Sequence, residues 1–296
     1  MPQAVFFSAI NNAFRKSAFG RVKRSHVSSA LLLTAGCLFL TCLPLRAQDA
    51  VPTSDDTLEA NPNRPSSSNS AEVLAPGVVQ WEYGWSKEWD GGGQTRGALG
   101  GEIRLGVWKN AEFRWGGDAL VDATTPAAHH IGFGDQYLSG QAQLMKQSDR
   151  APALALSYAV GFPTGNQAFG LGSGSMDHTF TFLASKEIRK FTWDFNAGYQ
   201  LIGRNGAAGF DRDSFFIFTS QHDLYGPLSI IGEIGGTTTL NATSPAYSTT
   251  LWALAYKLNR RVVLDAAIDV GITHGAPQKR IMFGITYAIT KLHLGL

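Results

Sequence analysis

Alternation of apolar and polar side chains along residues 261–273 constrains the fold of this chain more than any other feature of its sequence. Leu264 and Ile268 belong to an apolar set at even positions, whereas Asp265 and Asp269 stand at odd positions. Successive side chains of a β-strand point to opposite faces, so the pattern predicts a strand that separates an apolar medium from a more polar one. A soluble barrel or sandwich has its apolar face inside, whereas a transmembrane barrel turns that face to lipid and keeps polar residues in the lumen.

The same alternation continues from Gly77 almost to the C-terminus and predicts twelve strands. They cover residues 78–89, 99–107, 111–121, 133–146, 153–162, 177–186, 191–202, 214–223, 228–240, 247–258, 261–273 and 280–290. In the third strand, Phe113, Trp115 and Val121 are expected on the apolar face. Most of these segments are close to the roughly ten residues that a tilted strand needs to cross a bilayer.

The predicted connections alternate in length, which is evidence independent of the strands themselves. Residues 109–110, 147–150, 187–190, 224–227 and 259–260 are short connections, and residues 122–132, 163–176 and 203–213 are long ones. Bacterial outer-membrane barrels have an even number of strands, short periplasmic turns and longer outer loops. A soluble sandwich has no physical reason to sort its connections in this way, so the sorting favours a membrane barrel.

The composition agrees with a barrel whose two faces meet different media. Charged residues make up 16% of the chain, and the formal net charge is only +2. An average soluble domain has about a quarter of its residues charged. The absence of a basic excess argues against nucleic-acid binding. Aromatic residues such as Trp81 and Tyr287 recur toward strand ends, which fits the interfacial girdles of a membrane barrel, although a sandwich core is also rich in aromatic residues.

The N-terminus has the pattern of a secretory signal peptide. Its basic region contains Arg15, Lys16, Arg21, Lys23 and Arg24. An apolar core at residues 30–43 follows, and then a cleavage site after Ala47. The alternative is a membrane anchor, but the apolar run is shorter than the roughly 20 residues of a spanning helix. We therefore expect residues 1–47 to be a cleaved signal peptide.

Residues 48–76 are rich in Pro, Ser, Asn and Asp and have no apolar periodicity. This composition predicts a disordered periplasmic segment before a barrel that occupies residues 77–296. Both cysteines, Cys37 and Cys42, lie in the predicted signal peptide. An exported chain without cysteine has neither disulfides nor a thiolate metal site, which excludes zinc-finger, iron–sulfur and cysteine-protease functions.

Short motifs along the mature chain resemble an outer-membrane "transporter" family named for the meta-pathway of phenol degradation. The segment Asn61-Pro62-Asn63-Arg64-Pro65 precedes Pro76-Gly77-Val78-Val79-Gln80-Trp81-Glu82. In that family an Asp-Arg-Pro motif precedes a strand of the form Pro-Gly-x-x-Gln-x-Glu. Further likenesses are residues 102–106, residues 132–135 (GFGD) and residues 162–165 (FPTG). The resemblance implies an outer-membrane barrel for uptake of aromatic or other hydrophobic compounds.

The sequence departs from that family in two places. Asn63 stands where the family usually has Asp, which puts a charge-dependent role of the motif in doubt. The chain ends in Leu296, whereas outer-membrane barrels commonly end in an aromatic residue. The apolar phase also changes near Lys291, which predicts a bulge or a short tail after the last strand.

Ten charged residues fall on the predicted lumen face and are our candidate functional residues. They are Glu82, Glu102, Arg104, Glu112, Arg114, Asp118, Asp194, Glu233, Asp265 and Asp269. Their phase supports the barrel, because ionised side chains on the lipid face are costly. Two functions stay open for them: they line a permeation path, or they form a salt-bridged plug that fills a narrow lumen.

Two other kinds of site receive little support from the sequence. His129 and His130 lie in a predicted outer loop, where a pair of histidines without a third defined ligand is usually solvated. An outer-membrane lipid hydrolase would need a Ser and His pair near the lipid boundary. Ser220 with His222, and Ser185 with His178, are the candidates, but no nucleophile motif surrounds them.

The sequence therefore predicts an all-β protein, a single-domain, twelve-stranded antiparallel transmembrane barrel of the outer-membrane type. The expected function is passive transport of small, hydrophobic or aromatic compounds, and the competing function is a structural or adhesive barrel. We expect outer-membrane lipid, a small-molecule solute and the barrel-assembly machinery as partners, with no nucleic acid. We expect no cofactor, no metal and no enzymatic activity.

Overall fold

The computed structural model describes residues 58–241 and 244–293, which form thirteen strands in one antiparallel sheet. The strands are β1 Val78–Gly91, β2 Gln94–Trp108, β3 Ala111–Thr125, β4 Ala128–Gly132, β5 Gln136–Met145, β6 Ala153–Phe162, β7 Asp177–Ile188, β8 Phe191–Gly203, β9 Phe210–Tyr225, β10 Leu228–Thr237, β11 Tyr247–Lys257, β12 Val262–Gly271 and β13 Lys279–Lys291. A single 3-10 turn at Gln167–Phe169 lies between β6 and β7. The predicted signal peptide, residues 1–47, residues 48–57 and Leu296 lie outside the described residues.

The sheet closes on itself because β1 pairs with both β2 and β13. Tyr83 of β1 stands beside Gly101 of β2 and Ile285 of β13, in antiparallel register on both sides. The short strand β4 pairs with β3 alone in the described ladders, so twelve strands form the closed wall. The predicted twelve-stranded antiparallel barrel is confirmed. Among the described residues, no helix has the length and apolar character needed to cross a membrane.

Strand β12 contains most of the segment with the strictest alternation and shows which face meets which medium. Leu264 is 40% exposed and Ile268 is 43% exposed on the outside of the barrel. Asp265 and Asp269 are buried in the interior. Large apolar side chains are exposed outward along the other strands too, as expected for a wall that faces lipid.

Most of the connections are sorted as predicted. Two-residue turns join β2 to β3 and β7 to β8, and we call the end at which they lie the periplasmic end. The long connections, such as residues 163–176 and 238–246, lie at the opposite, outer end. Two outer connections are short. β1 joins β2 through Gly92 and Gly93 alone, and residues 122–132, predicted as a loop, form a hairpin because β3 continues to Thr125 and pairs with β4.

Two of the β-bulges bear on the predicted phase of the alternation. Leu99 pairs with Leu120 and Gly100 pairs with Asp118, so Ala119 is an extra residue in β3. Because one extra residue reverses the faces beyond it, Val121 is buried in the interior, and its predicted position on the outer face is wrong. The irregularity expected near Lys291 is a second bulge, at Ile289 of β13.

Candidate functional site

The lumen is occupied by the chain's own N-terminal segment. Residues 58–76 contain no strand or helix, yet Glu59, Glu72 and Ala75 are the only exposed residues among them. The segment begins beside the turn between β11 and β12, where the Ala60 N–H donates to the Arg260 carbonyl at 2.9 Å, and ends where the Gly77 N–H donates to the Gly106 carbonyl at 2.8 Å. The expectation of a disordered, exposed segment is therefore wrong for these residues, because the lumen supplies the hydrogen bonds that water would otherwise make.

The periplasmic start of the segment also carries an ion pair. Lys257 at the end of β11 donates a hydrogen bond to Glu59. This bond lowers the pKa of Glu59. The pair is largely solvent-exposed, so its contribution to stability is small.

Lumen carboxylates hold the backbone of the segment. Glu82 accepts the Asn63 and Arg64 N–H groups at 3.0 and 3.1 Å, and Glu233 accepts the Ser67 N–H at 2.9 Å. Glu112 accepts the Leu74 N–H at 2.8 Å. An ionised carboxylate only accepts hydrogen bonds, so each of these residues satisfies backbone donors that have no strand partner.

Uncharged wall residues on β5, β7 and β8 bind the segment in the same way. Asn196 exchanges two hydrogen bonds with the backbone of Asn69, at 2.7 and 2.8 Å. The Ala71 N–H donates to the Ser185 hydroxyl at 2.7 Å, and the Gln141 amide donates to the Ser70 carbonyl at 2.9 Å. The segment therefore contacts strands around much of the circumference of the barrel.

Arg64 occupies a slot made by two glycines. Its guanidinium lies at 3.4 Å from both carboxylate oxygens of Asp265 and donates to the Phe283 carbonyl at 3.3 Å. Gly84 and Gly284 pair across β1 and β13, and a Cβ added to either would lie within 2.3 Å of an Arg64 side-chain nitrogen. The guanidinium fits against the wall because these two inward positions have no side chain.

An ionic cluster lies on the inner face of β1, β2 and β3. Arg104, which has no exposed surface, donates to Glu82 at 2.8 Å and to Glu112 at 3.1 Å. Arg114 donates to Glu112 at 2.6 Å and lies 3.8 Å from Glu102. Alternating charges on neighbouring strands thus neutralise one another inside the barrel, and this part of the lumen matches the predicted salt-bridged plug.

The structure places all ten candidate residues in the interior but not in one cluster. Asp118 pairs with Arg96 at 2.7 Å, and Asp269 pairs with Arg280 at 2.8 Å. Asp194 accepts a hydrogen bond from Ser185. Glu233 and Asp265 bind the N-terminal segment, as described above. Their role in a permeation path stays a prediction.

Sequence reasoning missed the cationic partners of three of these acids. Arg96 and Arg280 share the inward phase of their strands, and that phase was the signal that identified the ten candidates. Arg64 gave no such signal, because it lies in a segment without periodicity. Its partner Asp265 is 201 residues away in sequence, so only the closed barrel brings the two together.

An apolar patch lies among the charged residues on the inner face of β10 to β13. Ile231, Leu251, Ala253 and Met282 are buried and pack together, with Ala60 of the segment against them. The start of the segment therefore contacts apolar side chains of the wall.

The outer connection between β6 and β7 folds back onto the barrel. Asp135, which is buried, accepts the Gly165 N–H at 2.9 Å and the Ser173 N–H at 2.6 Å. Leu171 of the same connection packs against Val121 and Ala123. The lumen is narrowed at its outer end by this connection and filled nearer the periplasm by the N-terminal segment.

Four histidines that the sequence singled out make contacts with single neighbouring groups. His129 contacts Asp122 at 3.0 Å and His130 stacks on Phe169, and no group of three metal-ligating side chains occurs in the described part of the chain. His178 bonds to the Tyr158 hydroxyl and His222 to the Lys190 carbonyl. Neither of these partners is a serine.

Comparison with known proteins identifies the family. A family model described as "Putative MetA-pathway of phenol degradation" matches residues 62–289. The chain belongs to this family. The crystal structure of an outer membrane channel from Pseudomonas putida F1 is similar, with a TM-score of 0.61 at 13% sequence identity over 78% of this chain and 100% of that chain. The NanC porin has a TM-score of 0.52 at 8% identity over 71% of this chain and 100% of that chain. No curated protein matches the sequence.

At such low identity the two structures show only a shared fold, which is that of outer-membrane barrels. The fold and the family place the protein in the outer membrane. The structure also explains why the short motifs of this family occur together. Asn61 exchanges two hydrogen bonds with Gln80, each 2.8 Å long, and the Asn63 N–H bonds to Glu82, so the two halves of the first motif contact each other.

The later motifs of the family meet in the same manner. The Thr164 hydroxyl donates to the Gly134 carbonyl at 2.8 Å, and the Gly165 N–H donates to Asp135. Asn63 stands where the family usually has Asp. Its side-chain oxygen accepts the Ser70 N–H at 3.2 Å. A carboxylate oxygen would accept the same bond, so this contact needs no charge.

Proposed function

We propose that this protein is an outer-membrane channel for the passive uptake of small hydrophobic or aromatic compounds. The observation that carries the proposal is that a separate, irregular segment fills the lumen. Residues 58–76 bind the wall through side chains of the barrel and leave the ladder hydrogen bonds between strands intact. Withdrawal of the segment toward the periplasm therefore opens the barrel without breaking its wall.

The apolar patch and the carboxylates of the inner wall fit the proposed solutes. A phenolic or other aromatic compound has an apolar ring and few polar groups. On the path left by the segment, the ring would contact Leu251 and Met282, and a hydroxyl group would reach carboxylates such as Glu82 that hold backbone N–H groups in the closed state. Transport of this kind involves no covalent step. The family description, which refers to phenol degradation, supports an aromatic solute.

A structural barrel without transport is the second candidate, and the buried ion-pair network favours it. Arg104 and Arg114 each form ion pairs with buried acids, and such a network also serves to stiffen a closed barrel. The two functions differ in whether residues 58–76 ever leave the lumen.

A disulfide lock tests the proposal. The Ser68 and Thr219 hydroxyl oxygens are 2.8 Å apart, so Ser68→Cys/Thr219→Cys is expected to link the segment to β9 under oxidising conditions. We would measure single-channel conductance in a planar bilayer and flux of a water-soluble aromatic solute into proteoliposomes. The two single-cysteine variants are the controls for disulfide formation and for the loss of each hydroxyl.

The proposed channel predicts low conductance and flux in the oxidised double variant and recovery after reduction. No conductance and no flux in the wild-type and reduced proteins would leave the structural barrel as the better explanation. Equal flux before and after reduction would show that the solute takes a route that does not require the segment to move.

A further inference from the structure

The outer face of the barrel has an apolar groove of about 770 Å³ over strands β3 to β8. Phe113, Tyr158, Phe180 and Tyr199 are exposed to the membrane and form its sides. The floor contains Gly140 and Ala142, which occupy outward positions of β5. A strand with small outward residues between strands with large aromatic residues therefore produces a depression in the lipid-facing surface.

The groove has no passage to the lumen. Beneath it, Ala142 of β5 pairs with Ala111 of β3 and with Leu156 of β6, and Leu156 pairs with Phe182 of β7. The inward neighbours of the floor, such as Gln141, are buried in the lumen network. Because the ladder is continuous at this height, a molecule in the groove is in contact with the membrane and separated from the transport path.

Two lysines lie at the periplasmic end of the groove. Trp108 lines the groove, and Lys109 follows it in the turn between β2 and β3. Lys109 and Lys146 line a common cavity of about 280 Å³, in which Glu72 is the only acid in the lining. The Gln143 N–H bonds to the Asn110 carbonyl at 2.7 Å, which brings the end of β5 against this turn. Two lysines thus follow the periplasmic ends of β2 and β5, whose outward residues line the groove, and the cavity between them lies beside residues 72–76 at the mouth of the lumen.

We propose that the groove binds an acyl chain of an anionic phospholipid from the inner leaflet of the outer membrane, and that Lys109 and Lys146 bind its phosphate. The groove lies on the surface that lipid already covers, and its aromatic walls and small floor favour a flexible hydrocarbon chain. The lysines lie at headgroup level, where cationic side chains attract anionic lipids. A zwitterionic phospholipid has no net charge to complement the two lysines.

The binding can be measured by native mass spectrometry of the folded barrel titrated with phosphatidylglycerol or phosphatidylethanolamine. Gly140→Leu fills the groove, and the backbone tolerates the change because a Cβ at Gly140 would lie at an ordinary 3.5 Å from Phe113. The control is Gly232→Leu, another outward glycine whose Cβ would lie 3.4 Å from Trp252. Lys109→Gln/Lys146→Gln removes both cations, and Lys291→Gln, at the same end of the barrel, is its control.

Wild-type protein and both controls are expected to retain phosphatidylglycerol in preference to phosphatidylethanolamine, and Gly140→Leu is expected to lose that retention. Each lysine is expected to contribute about fivefold in affinity, because one basic residue near an anionic surface is worth about 1 kcal/mol.

Equal binding of the two lipids, or equal retention by Gly140→Leu and Gly232→Leu, would overturn the proposal. Displacement of bound lipid by an aromatic solute, together with unchanged lipid binding in the lysine variants, would also overturn the proposal. That result would mean that the groove binds a transported compound. Migration of the folded form on a gel without heating confirms that each variant is assembled.

Discussion

Replacement of Arg104 by methionine is expected to destabilise the barrel strongly. The guanidinium is completely buried and donates to Glu82 at 2.8 Å, to Glu112 at 3.1 Å and to the Asn61 carbonyl at 2.7 Å. Glu112 retains Arg114 in the variant, but Glu82 loses its only ion-pair partner among the described residues. Removing one partner of a buried ion pair costs about 3–5 kcal/mol, because the remaining charge is left uncompensated. We expect a loss of this size in the free energy of unfolding.

The measurement is urea-induced unfolding of the refolded barrel in lipid vesicles, followed by tryptophan fluorescence. The double variant Glu82→Gln/Arg104→Met removes the uncompensated charge and is expected to recover about 1–3 kcal/mol, the usual coupling between residues of one network. Arg150→Met is the matched control, because Arg150 is exposed in the turn after β5 and its loss is expected to change stability by less than about 0.5 kcal/mol. The electrostatic reasoning is refuted if Arg104→Met is as stable as Arg150→Met, or if the double variant is no more stable than the single one.

Four further predictions concern the wall, the plug and the outer connection. Ala266 lies on the outer face near the middle of β12, and Ala266→Arg is expected to lower the free energy of unfolding by about 2–4 kcal/mol, because it places a charge deep in the lipid. Val270 stands beside Lys279 near the outer end of the strand, and Val270→Arg is expected to lower it by only about 0–1 kcal/mol. Asp269→Ala removes the 2.8 Å partner of the buried Arg280 and is expected to lower the free energy of unfolding by about 0.5–3 kcal/mol, the usual coupling between residues of one network; equal stability of this variant and Asp269→Ala/Arg280→Met would contradict that explanation. Gly284→Ala, whose added Cβ would meet side-chain atoms of Arg64 at 2.3–2.7 Å, is expected to displace Arg64 and to increase the frequency of open events in single-channel recordings, with outward-facing Gly232→Ala as the control that leaves it unchanged. Asp135→Ala is expected to release residues 163–176, so that chymotrypsin added from outside cleaves this connection faster than in Asp122→Ala; equal rates would show that the contacts of Thr164 and Leu171 are enough to hold it.

The wall of the barrel follows from local sequence pattern. A period of two along residues 261–273 assigns Leu264 and Ile268 to one face and Asp265 and Asp269 to the other, and no knowledge of distant residues is needed. Strand number and loop sorting follow from the same local rule applied along the chain. The rule failed at Val121, because a bulge depends on how β3 pairs with its neighbours, which the sequence of β3 does not reveal.

The contents of the lumen depend on contacts between residues that are far apart in sequence. Residues 58–76 have the composition of an exposed segment, and it is the carboxylates and amides of the inner wall that make a buried position favourable for them. The inward phase of Glu82, Arg104 and Glu112 was visible in the sequence, but their pairing appears only after β1, β2 and β3 lie side by side.

The sequence by itself determined that this protein is a membrane barrel with an apolar outside and a charged inside, because the alternation of side chains along a strand is a local property of the backbone. Only the tertiary structure decided what fills that inside. Closure of the barrel places Asp265, Gly84 and Gly284 around Arg64, although that arginine gives no periodic signal of its own. Hydrogen bonds and ion pairs across a lumen depend on three-dimensional distance, and distance between remote residues is set by strand pairing and not by the spacing of residues along the chain.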